Sequence, residues 1–425
     1  MPNISLKGAS KPIIIIGALF FVFGFVTWLG SVLIPYLKIA CKLNNLESYL
    51  VAFSFYISYL IMAIPSAWVL KFTGFKKGIS LGLVIMALGT LIFIPAALVR
   101  EYSVFLLGLF IQGAGMAILQ TASNPYVTIL GPRESAAKRI SVMGICNGIA
   151  GIIAPIILGS IILDNTDEIQ NRLLNMNLTQ QVADLDALAH RVIVPYLIMA
   201  LILIILSVFT FYSGLPEIDT DHENEEVAAA NINKHSIFQF PHLLIGAFTL
   251  FLYVGVEVIA GDTIISYGAS QDIALSTAKF FTSATLSAML IGYLIGIICI
   301  PKYFSQELAL KVASLFGIVF AITAIFTSGY ISVLFIALLG LSNSLMWPAI
   351  WPLAIADLGR FTKIVSSLLI MAIGGGAVLP LLYGHLADII NPKDAYWIVV
   401  PCYVMIWYFA VRGHKIRSFI TFRPQ

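Results

Sequence analysis

Long apolar runs alternate with short polar stretches along the whole chain. Twelve runs reach the length that crosses a bilayer, about 20 residues. They lie at 12–37, 48–72, 78–99, 103–130, 138–163, 191–213, 242–268, 276–300, 308–328, 330–357, 363–388 and 394–412. In lipid every backbone polar group must bond within its own segment, so each run is expected to be a helix. A membrane barrel would instead need strands of about ten residues with alternating polarity. The predicted fold class is an all-α membrane protein with twelve transmembrane helices.

The pattern repeats between the two halves. Pro12 and Gly17-Ala18 open the first run, and Pro241 and Gly246-Ala247 open another with the same internal spacing, 229 positions later. Gln120 and Asn124-Pro125 match Trp347 and Trp351-Pro352 at an offset of 227. Gly151, Pro155 and Gly159 match Gly376, Pro380 and Gly384 at an offset of 225. Three landmarks in one order at nearly one offset imply two six-helix bundles. We place them at 1–213 and 242–425, with a linker at 214–241. Paired repeats give a membrane protein a central cleft and a way to rock around it, the architecture of a transporter.

Composition supports this reading. Of 425 residues, 60% are hydrophobic and 11% charged, and mean hydropathy is +0.96, outside the range of a soluble domain of this size. The N-terminal MPNISLKGAS is too short and polar for a cleaved signal, so the first run is expected to be retained. The four cysteines are scattered, and neither a disulfide nor a metal site is expected. With both termini cytoplasmic, Lys38, Lys42, Arg100, Arg172, Arg191, Lys279 and Lys393 fall outside and the other 17 of 24 Lys and Arg fall inside. That asymmetry sets the orientation of a multi-pass protein in the cell (inner) membrane. The net charge of +3 is then a topology signal and does not imply nucleic acid.

Three connections carry recognisable patterns. The acidic linker holds Glu217, Asp219, Asp221, Glu223, Glu225 and Glu226 and reads as a solvated loop. The outer segment 165–190 places Leu173, Leu174, Leu178, Val182, Leu185 and Leu188 at helical spacing, predicting a short amphipathic surface helix. Lys71, Gly74, Lys76, Lys77 and Gly78 predict a tight basic turn between the second and third helices.

Charge inside the bilayer is the sharpest filter for chemistry, since an ionised residue at a helix centre costs about 2.5–3.5 kcal/mol on insertion scales. Only Glu257 and Asp262 among the acidic residues lie well within a run, and no Lys or Arg occupies the middle of one. Both acids are candidate cation-coupling groups; Glu257 is also a candidate substrate ligand. Bracing the bundle is the structural alternative for Glu257, and capping a break at Gly261 the alternative for Asp262. Gln120 and Asn124 share a helix face. Asn147 lies on the fifth helix; Asn343, Trp347 and Trp351 follow one another by single turns on the tenth. Amides both donate and accept, which suits hydroxyls, and an aromatic face suits the C–H face of a pyranose. Amides also simply join membrane helices. No P-loop, dinucleotide fingerprint or zinc-type histidine spacing is present, so no enzyme activity is expected.

The segment Gln120-Thr-Ala-Ser-Asn124-Pro125-Tyr-Val-Thr-Ile-Leu-Gly131-Pro132 resembles the fourth helix of the fucose–galactose–glucose:cation symporter family, within the major facilitator superfamily. Arg139 to Asn147, Tyr253 to Val258 and Trp347 to Ala354 are similar too, and the resemblance runs from Gly17 to about Ala410. It implies a carrier that imports monosaccharides with H⁺ or Na⁺ and needs no cofactor. Two departures bear on coupling. Gln120 stands where the fucose branch has Glu, and Gly30-Ser31 where it has Asn-Asp. Gln120 and Glu257 resemble the glucose/galactose branch. Gly148 stands where some relatives place Lys.

The expected function is import of a neutral monosaccharide by cation symport and alternating access. Na⁺ is put ahead of H⁺ because neutral oxygen groups replace two carboxylates. Uniport, or transport of a polyol or amino sugar, is the alternative. A non-transporting sensor would bring a sizeable soluble domain. The expected partners are the sugar and membrane lipid, with no nucleic acid, and the chain is expected to be a monomer.

Overall fold

The computed structural model describes residues 10–129, 136–173, 176–215, 236–300, 303–356, 358 and 362–416; the side chains of 10–13, 124–129, 136–141, 173, 362–364 and 366–367 are not described. The linker carboxylates, Leu174 and the turn at Gly131-Pro132 lie outside the described residues.

The described chain is nearly all helix. Eleven helical stretches are long and apolar enough to cross a membrane, and one of them, Asn45–Val99, has 55 residues. At 1.5 Å per residue it would run about 80 Å, far beyond a hydrocarbon core of about 30 Å. It divides at Gly74, whose φ of 74° and ψ of 174° leave the helical region. Glycine meets that positive φ at low cost, and Lys71, Lys76 and Lys77 flank the reversal. Two spans therefore share this stretch, and the twelve expected from the apolar runs are recovered. We number the spans one to twelve in chain order.

Several spans are broken. The first divides into Ser10–Thr27 and Gly30–Ala40. The seventh, Pro241–Asp262, continues after Thr263 as Ile264–Ser270. The tenth divides into Gly329–Asn343 and Met346–Ile355, a turn earlier than its prolines. The triple glycine of the eleventh span carries a short 3₁₀ turn, Ala372–Gly374. In the outer segment two helices form, Thr166–Leu173 and Leu178–His190. Leu185 and Leu188 are buried as the periodicity predicts, while Leu178 and Val182 are exposed. The Tyr36 hydroxyl at the end of the first span donates to the carbonyls of Leu188 and Ala189 (both 2.9 Å), docking this helix.

Spans one to six and seven to twelve meet along a seam that is closed at the end opposite the termini, the far end. There the Asp388 carboxylate of span eleven accepts from the backbone N–H groups of Asn45 (3.1 Å) and Leu46 (2.8 Å) and from Asn45 Nδ2 (2.7 Å). Those groups open span two, so an anion meets the unpaired N–H groups of a helix start. The arrangement recurs with the halves exchanged. Asp167, after span five, accepts from the N–H groups of Leu275 (3.0 Å) and Ser276 (3.1 Å), just before span eight. Deeper along the seam, Tyr49 of span two meets Tyr383 edge-on, ring centroids 5.5 Å apart.

Trp28, in the break of span one, is the key of the seam. A Cβ at Gly151 of span five would lie 2.4 Å from its Cδ1, and a Cβ at Gly261 of span seven 2.2 Å from its Cζ3. Only glycine at both positions lets the indole lie between them. Leu286 and Met289 of span eight complete its packing.

Candidate functional site

The sequence singled out residues on spans four, five, seven and ten, and the structure sorts them into groups. On span seven, Glu257 is half-buried and accepts a hydrogen bond of 2.7 Å from the hydroxyl of Tyr253, one turn before it. The Tyr253 ring lies 6.4 Å from that of Trp347 on span ten. Trp347 and Trp351 stack at 5.3 Å with 28° between planes. Both tryptophans are half-buried. Their spacing of four residues, spanning Pro348, stacks the two rings along one face of the helix. Glu257, Tyr253, Trp347 and Trp351 thus form one aromatic wall with a carboxylate in it.

The other half supplies a matching wall. Gln120 Nε2 on span four donates to the Tyr59 hydroxyl on span two (3.2 Å). Tyr59 stacks on Tyr56, 6.3 Å away with 24° between planes. Tyr56 is buried and lines the small cavity that also holds Asp262. A Cβ at Gly376 of span eleven would be 3.0 Å from its ring, so the tyrosine is held against the opposite half. Tyr56 therefore links the Gln120 wall to the Glu257 wall.

The remaining candidates take different positions. Asn147 is half-buried on span five, and its backbone carbonyl is pressed against span one, 2.1 Å from where a Cβ at Gly24 would be. The backbone of Asn124 continues the helix of span four to Ile129; its side chain lies outside the described residues. Asn343 is 1% exposed, and its Oδ1 accepts from the Tyr403 hydroxyl of span twelve (2.8 Å), so it joins spans ten and twelve. Asp262 is 1% exposed, and neither carboxylate oxygen has a hydrogen-bond partner. It therefore does not cap the break at Thr263; the hydroxyl of Thr263 bonds the carbonyl of Ile259 (2.8 Å) instead. Asp262 lines a small cavity with Thr27, Gly30, Tyr56 and Gln112; Gln120, Glu257, Asn343 and the two tryptophans do not line it.

Sequence reasoning missed the tyrosines. Tyr253 carried a readable signal, a hydroxyl one turn from an intramembrane carboxylate. Tyr56 and Tyr59 carried only a shared polar edge in an otherwise apolar run, which many core tyrosines show. Trp28 gave no signal, because its role depends on two glycines far away in sequence.

The site is chemically a polar, aromatic seam between two sets of six helices, suited to holding a small polar solute. This is the layout of a secondary transporter. Residues 16–380 match the Major Facilitator Superfamily. A glucose/galactose transporter of Brucella abortus is 34% identical over 404 residues, covering 93% of this chain and 92% of that one. An L-fucose-proton symporter of Escherichia coli is 30% identical over 405 residues, covering 94% and 92%. The crystal structure of the major facilitator transporter FucP in its outward conformation superposes with a TM-score of 0.72 at 28% identity, over 94% of this chain and 97% of that one. The chain belongs to the major facilitator superfamily and, within it, to the fucose–galactose–glucose:cation symporter family. It is a multi-pass membrane transporter and not an enzyme.

Proposed function

We propose that this chain imports a neutral monosaccharide, a hexose such as glucose or galactose, by cation symport. It would sit in the inner membrane with both termini cytoplasmic, so that the far end faces outward. Residues 1–213 and 242–425 would rock about the seam as two bundles joined by 214–241. The observation that carries this reading is the pair of walls joined by Tyr56. One offers Gln120 and Tyr59, the other Glu257, Tyr253 and the Trp347–Trp351 stack. Amide, carboxylate and phenol groups meet hydroxyls in both hydrogen-bond directions, and the stacked indoles offer a face to a pyranose ring. No Lys or Arg stands mid-span to receive an anionic solute. Asn124, Asn147 and Asn343 belong to the same proposal as further substrate contacts, with Asn343 acting through its tie to Tyr403. Glu257 and Asp262 are the two carboxylates available for cation coupling. The named activities of the Brucella and Escherichia relatives agree in substrate class.

The test is uptake of labelled glucose and galactose into proteoliposomes holding the purified chain, with and without imposed H⁺ and Na⁺ gradients. Uptake competed by hexoses and not by organic acids supports the reading. Inhibition by acids alone would sink it.

A further inference from the structure

Glu257 and Asp262 differ in every respect that matters for their roles. Glu257 is half-buried, bonded to Tyr253 and set in the aromatic wall. Asp262 lies five residues on, about 7.5 Å nearer the far end, sealed at 1% exposure with both oxygens unpartnered. We propose that the two carboxylates divide the work: Glu257 binds sugar, and Asp262 carries the coupling proton at the far-end seam. This rests on the sugar-import reading and goes beyond it.

The seam makes the argument. A Cβ at Gly30 of span one would lie 3.1 Å from Asp262 Oδ2, so span one covers the carboxylate directly. Trp28, two residues earlier, is wedged against Gly261, the neighbour of Asp262. The ionisable groups facing Asp262 are Glu257 on its own span, Tyr49 and Tyr56 on span two, and Tyr196 of span six across the cavity. Span one contributes Gly30 and Thr27, and span four contributes Gln112, whose Nε2 is already committed to Thr90 Oγ1 (2.6 Å). None of these is a cation. A buried carboxylate anion without a partner is strongly disfavoured, whereas the neutral acid is tolerated. Closure of span one over Asp262 therefore requires the proton, and opening the far end returns the carboxylate to water. One H⁺ is taken from far-side water when the seam opens and is carried through closure; its release, one per sugar, follows when the termini side opens and span one draws off Asp262, giving the carboxylate water there.

The surroundings also select the cation. A hard metal cation needs several oxygen ligands around it. The cavity beside Asp262 has room for about one water and is lined mostly by apolar side chains. A proton needs a single carboxylate oxygen. The order of Na⁺ before H⁺ drawn from sequence is reversed here, because the groups that replace the two carboxylates, Ser31 and Gln120, are bonded to the Trp28 carbonyl (2.8 Å) and the Tyr59 hydroxyl (3.2 Å) and do not line the cavity beside Asp262.

The experiment uses the full chain in proteoliposomes and reads two quantities, sugar counterflow at equal pH and accumulation driven by an imposed pH gradient. Wild type should show both, and a pH dye should record H⁺ movement with sugar. Asp262→Asn, which mimics the neutral acid, should keep counterflow, lose accumulation and lose the dye signal. Glu257→Gln should instead weaken sugar affinity while the remaining uptake still responds to the pH gradient. Asp262→Glu guards against a folding defect: it should restore part of the gradient response. Accumulation by Asp262→Asn at the wild-type ratio overturns the proposal. So does wild-type accumulation driven by Na⁺ and indifferent to pH. Absence of any sugar counterflow in wild type is a different failure, that of the import reading itself.

Discussion

The paired carboxylates at the far end should set a measurable bias on the transport cycle. Asp388 holds the start of span two through three hydrogen bonds, and Asp167 holds Leu275 and Ser276 through two. Each contact crosses the seam, so it exists only while the far end is closed. An anion at exposed N–H groups of this kind contributes about 1–2 kcal/mol. Asp388 is solvent-exposed and Asp167 half-buried, so values near the lower end apply to Asp388. Removing one latch should shift the closed-to-open ratio by about tenfold, since about 1.4 kcal/mol is a factor of ten. Removing both should approach about a hundredfold if the two act independently. The assay is a distance distribution between spin labels at exposed Thr179 and Ile390, which lie on opposite sides of the seam. Asp388→Ala and Asp167→Ala should each enlarge the long-distance population, and the double variant should enlarge it further. Counterflow should slow where closure becomes limiting. An unchanged distribution in the double variant would refute the assignment of these carboxylates as latches.

Other outcomes follow from particular contacts. Gly261→Ala places a methyl where the Trp28 ring lies; overpacking of this sort costs about 1–3 kcal/mol, and the same labels should report a larger open population, with Trp28→Ala restoring closure in the double variant. Trp347→Ala should raise the sugar concentration needed for half-maximal counterflow by about two- to tenfold, as loss of one stacking face worth about 0.5–1.5 kcal/mol implies, with little change in thermal stability because the ring is only half-buried. Tyr403→Phe leaves the buried Asn343 without its donor; melting temperature should fall, consistent with a buried polar group losing a partner at about 1–3 kcal/mol, while the pH response of uptake stays normal.

The fold was legible because bilayer thickness and backbone satisfaction convert apolar run length directly into helices. The twelve spans emerged from runs alone, and even the reversal at Gly74 was marked by glycine among lysines. The break in span ten was not, because the helix parts at Ser344-Leu345, a turn before its first proline. Glu257 and Asp262 stood out for the same reason as the spans: charge is rare where water is absent. What distinguishes their surroundings was not in the sequence. Five residues apart on one helix, they look alike until span one is in place. Gly30 then proves to be the lid over Asp262, and Tyr253 the donor to Glu257. The same holds for the amides. Gln120, Asn147 and Asn343 share depth and residue type, yet one bonds Tyr59 in the seam, one rests its backbone on Gly24, and one is joined to Tyr403 inside its own half. Glycine decides most of these outcomes. Lacking a side chain, it gives no chemical signal of its own, and its meaning lies in the group that fills the space it leaves. A glycine opposite Trp28 permits closure, and a glycine opposite Asp262 buries an acid without offering it a partner. The proposed coupling of closure to protonation therefore rests as much on missing side chains as on the carboxylate itself.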